Sequence, residues 1–177
     1  MSGARYVPSW LSIAESYIGL KEIRGVGHNP TILGWLKRHA LNIGRWGKGR
    51  DETPWCAVFV SHCLSAAGYA ATNSALASSY LTYGRPGKFR SGDIIVLKYK
   101  RKGGEASTGS RAGYHVGFLN RVTKTHVLVT SGNHKNRVDR SWYPKARWTI
   151  EAVRTPAPVP HGPLGAGTET TAATPAE

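Results

Sequence analysis

Cys56 follows Asp51-Glu52-Thr53-Pro54-Trp55 and opens a run of Cys56, Ala57, Phe59, Val60, Cys63, Leu64 and Ala67 that recurs at helical spacing until Gly68. The spacing predicts an amphipathic, buried helix with the thiol at its N-terminus. There the partial positive charge and the outward-pointing N–H groups favour thiolate over thiol. The same N–H groups suit a tetrahedral oxyanion. Free cysteine is also one of the commonest core residues, so position alone leaves the structural and catalytic readings even. A nucleophilic cysteine needs a base to take its proton and return it to the leaving amine, and a polar group to orient that base. His115, 59 residues downstream in Tyr114-His115-Val116-Gly117-Phe118, is the candidate base.

The elements that must position these groups come in two blocks. Residues 8–20 read as a first helix with Trp10, Ile13, Ala14, Tyr17 and Ile18 on its apolar stripe, and residues 31–41 as a second, with Ile32, Trp35, Leu36 and Ala40 inward. A basic, glycine-rich loop over 42–53 leads into the Cys56 helix, and a weaker helical piece covers 75–83. From Arg90 the pattern changes to strands: 93–99, then 114–119 and 125–130 as a hairpin, then one or two more around Val138 and 148–153. Residues 100–113 are polar and glycine-rich and read as a mobile loop. Helices first and an antiparallel sheet second make an α+β domain over 1–154. The Pro, Ala, Gly and Thr of 155–177 read as a disordered tail.

A hairpin turn centred near Thr123 sets His115 opposite Ser131, with Asn133 one step along on the same face. Asn133 is then the candidate to accept the imidazole N–H and fix its tautomer. His126 and His134 are the alternatives for this third position. Taken singly, a strand histidine is more often a satisfied core or surface residue, and Asn after Gly is usually a turn; the joint arrangement with Cys56 is what argues for chemistry.

The formal charge is +14. All 24 Lys and Arg lie at or before Arg154, while Glu169 and Glu177 of the ten acids lie beyond it, which leaves residues 1–154 at +16. Such a surface seeks polyanions: nucleic acid, anionic membrane or bacterial wall polymers. The N-terminus has no apolar run of signal-peptide length, and no segment approaches the ~20 apolar residues of a membrane span. These features predict synthesis in the cytosol, with exit dependent on other machinery. Cys56 and Cys63 lie about 10 Å apart along one helix at ~1.5 Å per residue, beyond the ~7 Å Cα limit for a disulfide, so both are expected as free thiols. A zinc site built from Cys56, His62, Cys63 and His115 fails for want of a paired ligand motif; neither metal nor cofactor is expected.

The runs Glu52-Thr53-Pro54-Trp55-Cys56-Ala57-Val58-Phe59-Val60, Gly92-Asp93-Ile94-Ile95-Val96, His115-Val116-Gly117-Phe118 and Gly132-Asn133 together resemble the NlpC and CHAP superfamily of papain-fold cysteine peptidases and amidases. They are most similar to its small phage- and prophage-encoded branch, and the likeness spans roughly residues 8–153. The resemblance implies a papain-like fold, with the nucleophile's helix packed on a small antiparallel sheet. It also implies hydrolysis of an amide in the peptide part of peptidoglycan, by Cys56 as nucleophile, His115 as base and Asn133 as third residue. Glu52, Trp55 and Tyr114 are the candidate substrate contacts, although capping of the helix is the stronger expectation for Glu52. The chain departs from the pattern in its long basic 100–113 connection, in Ser131 where a second glycine is usual, and in lacking the Asp-rich calcium loop of some CHAP enzymes.

The implied partner is peptidoglycan and the implied state a monomer, acting on the wall after release through a holin or by an injection system. The scissile bond is either the lactyl–L-alanine amide or one within the stem peptide. The competing reading is a non-enzymatic polyanion binder that holds nucleic acid by counterion release. Its basic residues are scattered and carry no recognised nucleic-acid motif, and it would leave Cys56 and His115 without a shared purpose.

Overall fold

The computed structural model describes residues 7–23, 27–43, 53–101, 106–108 and 112–158. Three α-helices lie among them: α1 (Ser9–Ser16), α2 (Pro30–His39) and α3 (Cys56–Ala66). Six strands follow: β1 (Arg85–Pro86), β2 (Ile94–Tyr99), β3 (Tyr114–Val122), β4 (His126–His134), β5 (Arg137–Pro144) and β6 (Trp148–Thr155). They form one antiparallel sheet in the order β1-β6-β2-β3-β4-β5. The α+β expectation holds at this level. Short 3-10 turns at Ala77–Tyr80 and Ala106–Thr108 interrupt the connections. No helix among the described residues is long and apolar enough to cross a membrane.

Each helix starts for a local reason. Pro8 precedes α1, whose Trp10 donates its indole N–H to the Gly92 carbonyl at 2.7 Å and so ties the helix to the start of β2. Asn29 caps α2 by accepting from the Thr31 and Ile32 amides at 2.9 and 3.4 Å, with Pro30 in the first turn, where a missing N–H costs nothing. Lys37, Arg38 and His39 close it on the side that favours cations. Helix α3 begins at Cys56 with Trp55 as its cap residue and no side-chain cap. Residues 56–61, 63 and 64 are all buried, so α3 is wrapped on every side, as a central helix must be, rather than lying half in solvent as an amphipathic one does.

The sheet separates two apolar layers. Ile94, Val96, Val116 and Phe118 face α3 and pack with Trp10, Leu11, Trp35, Trp55 and Phe59. Ile95, Leu97, Leu119, Val127, Val129, Tyr143 and Trp148 form the layer on the other face. The alternation along β2 and β3 sets these assignments, since successive residues point to opposite faces.

Some expected elements fall outside the described residues: the basic loop except 42, 43 and 53, most of the 100–113 connection, and nearly all of the tail beyond 155.

Candidate functional site

Cys56 Sγ lies at the N-terminus of α3, 2% exposed. Backbone groups of Val116, Ala57 and Cys56 itself favour the anion of the sulfur, as N–H dipoles do. Burial opposes them and wins, pushing the thiol up to about 11. Cys63, one face further along α3, is also a free buried thiol raised by burial. Among the described residues no group of three or more His, Cys, Asp or Glu is arranged to hold a metal ion.

His115 is fully buried. It pairs in register with Leu97 of β2 and therefore shares that residue's face, the one turned away from α3. Its ring packs against Tyr143 and Trp148, with centroids 5.5 and 6.4 Å away. Nε2 lies 2.9 Å from Ser131 Oγ and 3.1 Å from Tyr143 Oη, and the two hydroxyls are 3.3 Å apart. Nδ1 is buried and has no hydrogen-bond partner among the described residues. Burial, helped by the nearby His134, brings the imidazole down to about 3. Thiol and imidazole are thus both neutral at pH 7, and no hydrogen bond joins them: the sulfur sits against the Val116 amide while the ring projects on the other face.

His115 and Ser131 do touch, at 2.9 Å, but not as the directly opposed pair expected. Phe118 pairs with Thr130, which sets Ser131 against Gly117, and the histidine reaches it diagonally from two residues away. Ser131, where the resemblance leads one to expect glycine, thereby supplies a partner for the imidazole. Tyr143, from β5, is the second, and its sequence position carried no signal because β5 has no chemical motif.

Asn133 does not take the place expected for it. The β4–β5 pairing shifts register between Ser131 and His134, and Asn133 adopts a left-handed φ of 56°. This irregularity turns its side chain off the Ser131 face. In the amide orientation that satisfies both ends, its oxygen accepts from the Trp55 N–H and its nitrogen donates to Glu22 Oε1, each at 3.3 Å. Asn133 therefore braces the start of α3 instead of orienting the imidazole.

The alternative histidines are not partners of His115 either. His126 contacts Thr125 at 2.9 Å near the hairpin turn, and His134 Nδ1 pairs with Asp139 Oδ2 at 2.7 Å. The Asp139 oxygen also accepts from Ser141 at 2.9 Å. His62 stacks on Trp35 and contacts Tyr17 Oη at 3.1 Å, with burial holding it down to about 4.

The expected substrate contacts fare unevenly. Trp55 is fully buried in the core and cannot touch a ligand in this state; its indole N–H donates to Glu22 Oε1 at 2.8 Å. Tyr114 is half-buried, on the α3 face, with the Lys98 ammonium 3.9 Å from its ring centroid. Glu52 lies outside the described residues. Glu22, which the sequence offered only as one acid in a loop, proves central: it receives Trp55 and faces Asn133, joining the segment after α1 to both α3 and β4.

Two glycines of the quoted motifs have steric reasons. A Cβ on Gly132 would lie 2.5 Å from Trp55 Cζ3 and 2.7 Å from Phe59 Cβ, so only glycine lets β4 approach α3 this closely. A Cβ on Gly117 would meet Ser131 Cβ and the Thr130 carbonyl at 2.7 Å, on the side where β4 approaches β3.

No family model, no curated protein and no solved structure matches the chain.

Proposed function

We propose that the chain is a cysteine amidase or endopeptidase of bacterial peptidoglycan with a papain-like arrangement, Cys56 as nucleophile and His115 as base. The observation that carries the reading is a buried sulfur at a helix N-terminus, favoured as the anion by backbone groups of Ala57 and Val116 besides its own, where Cys63 on the same helix has only its own. In the reaction His115 Nδ1, the ring nitrogen left without a partner among the described residues, takes the Sγ proton. The thiolate attacks the amide carbonyl, the Cys56 and Ala57 amides receive the oxyanion, and the C–N bond breaks as the imidazolium returns the proton to the leaving amine. Water then hydrolyses the thioester with the same nitrogen as base. At rest Ser131 and Tyr143 hold Nε2, the place first expected of Asn133.

This route requires thiol and imidazole to come within hydrogen-bond range when substrate binds, because each is neutral and separate at rest. The basic surface concentrates such an enzyme on an anionic wall. Release from the cytosol through a holin or by injection, and action as a monomer, complete the proposal.

One observation favours a second reading. A thiol raised to about 11 and an imidazole lowered to about 3, unjoined, suit a non-catalytic core, and the net charge then serves to bind nucleic acid. Digestion of purified peptidoglycan by wild type and Cys56→Ala, with mass spectrometry of the soluble products, separates the two. The enzyme reading expects fragments from wild type alone, with new termini that identify the bond. Silence from both, together with salt-dependent DNA binding by wild type, would reverse the ranking.

A further inference from the structure

We propose that the cleft between residues 21–23 and 135–137 is a binding site for the carboxylates of a short peptide. A cleft of about 620 Å³ is lined there by Lys21, Glu22, Ile23, Asn29, Lys135, Asn136 and Arg137. The choice of a peptide as ligand rests on the reading of the chain as a wall-peptide hydrolase; the demand for an anion does not.

The demand comes from backbone geometry. Lys21 and Arg137 face each other in an isolated antiparallel bridge. The bonds Glu22 N–H to Asn136 O at 2.9 Å and Val138 N–H to Leu20 O at 2.8 Å flank that pair. Lys21 and Arg137 are thus a non-hydrogen-bonded pair, the closer kind, with Cα atoms about 4.5 Å apart and side chains on one side. Like charges directly opposite destabilise a sheet. Lys135, two residues away, adds a third cation. None of the three makes an ion pair among the described residues. Glu22, the one acid among the described lining residues, accepts from the Trp55 indole. It offsets part of this repulsion, and a bound anion relieves the remainder.

Size and position select the class of anion. A volume of this order suits a small ligand of a few residues. A carboxylate in the wall disfavours a densely charged polyphosphate more than a peptide with isolated carboxylates. The cleft is linked to the candidate nucleophile through Glu22, which lines it and accepts from Trp55, the residue before Cys56.

The test is an NMR titration of the wild-type chain with an acetylated tripeptide bearing two free carboxylates, and with its dimethyl ester. The dicarboxylate is expected to shift the amides of residues 21, 22 and 135–137, and the ester to bind at least about tenfold more weakly. Lys21→Glu and Arg137→Glu are each expected to weaken the dicarboxylate at least about tenfold. The neutral Lys21→Gln and Arg137→Gln weaken it less, and thermal melts establish that all four variants are folded. Equal binding of acid and ester, or wild-type affinity in folded charge-reversal variants, overturns the proposal. So does a DNA duplex that shifts these amides when the peptide does not. Failure here is distinct from failure of the enzyme reading: fragment release from peptidoglycan without peptide binding leaves the enzyme and removes the cleft. Peptide binding without fragment release does the opposite.

Discussion

Cys56 carries two opposed influences: amide dipoles that invite a negative charge and a dry surrounding that refuses it. With burial prevailing and the thiol at about 11, the thiolate fraction rises about tenfold per pH unit through the neutral range. Alkylation of Cys56 by iodoacetamide, followed by mass spectrometry, is expected to be slow at pH 7 and still accelerating at pH 10. A rate that levels off by pH 8 would show that the amides win instead. His115 offers a second measurement at this scale. Ser131→Ala or Tyr143→Phe each leaves Nε2 one hydroxyl partner, whereas the double variant leaves it buried and unpaired. Urea unfolding is expected to show a coupled loss, with the double variant about 1–3 kcal/mol worse than wild type and worse than the sum of the singles. Simple additivity would mean that water replaces the hydroxyls. Glu22→Gln removes the carboxylate that receives the Trp55 indole.

Helix α3 and strand β4 meet at Gly132, and their separation is set by the Trp55 and Phe59 side chains it touches. Gly132→Ala forces a methyl into contact at 2.5 Å with an indole that has no room to retreat. The expected cost is about 1–3 kcal/mol by chemical denaturation, and unchanged stability would show that the helix slides freely on the sheet. The element level is also where reading the sequence succeeded and then stopped. Periodicity located α1, α2, α3 and the β3–β4 hairpin because their apolar patterns are local, but it set the hairpin register two residues off. Ser131 lies against Gly117 and meets His115 only diagonally, after a shift in the pairing between Leu119 and Arg121. It missed the two-residue β1, which exists only through its pairing with β6. It misplaced Asn133 because a single irregularity in β4 exchanges the sheet's faces, and alternation counts residues without seeing a left-handed φ. It gave Trp55 to the substrate because adjacency to a nucleophile looks the same in one dimension whether the ring points outward or into the core. Glu22 was illegible for a related reason: its partners are 33 and 111 residues away in the chain.

Across the whole molecule, buried imidazoles make stability depend on acid. His115 is held to about 3, His62 to about 4, and His39 is also lowered, in each case chiefly by burial. Below the ordinary value near 6.5 the unfolded chain takes up protons that the folded chain refuses. Stability is therefore full above pH 6.5 and is lost as pH falls toward 4, by up to about 1.4 kcal/mol per pH unit for His115 alone. Denaturant unfolding at pH 7 and pH 5 is expected to show the loss, and His62→Gln to reduce the difference. Curves that coincide at the two pH values would mean that these rings are charged in the native state. A separate consequence follows from the sheet order, in which β6, the last strand in sequence, lies between β1 and β2. Until Trp148–Thr155 has been synthesised, β2 presents an open edge whose Ile94, Ile95, Val96 and Leu97 are made to be buried. Strand pairing of such long sequence separation is slow, and an unpaired apolar edge is prone to association. A nascent chain stalled before Trp148 therefore has no finished sheet to fall into, so maturation on the ribosome must wait for nearly the whole folded region to emerge.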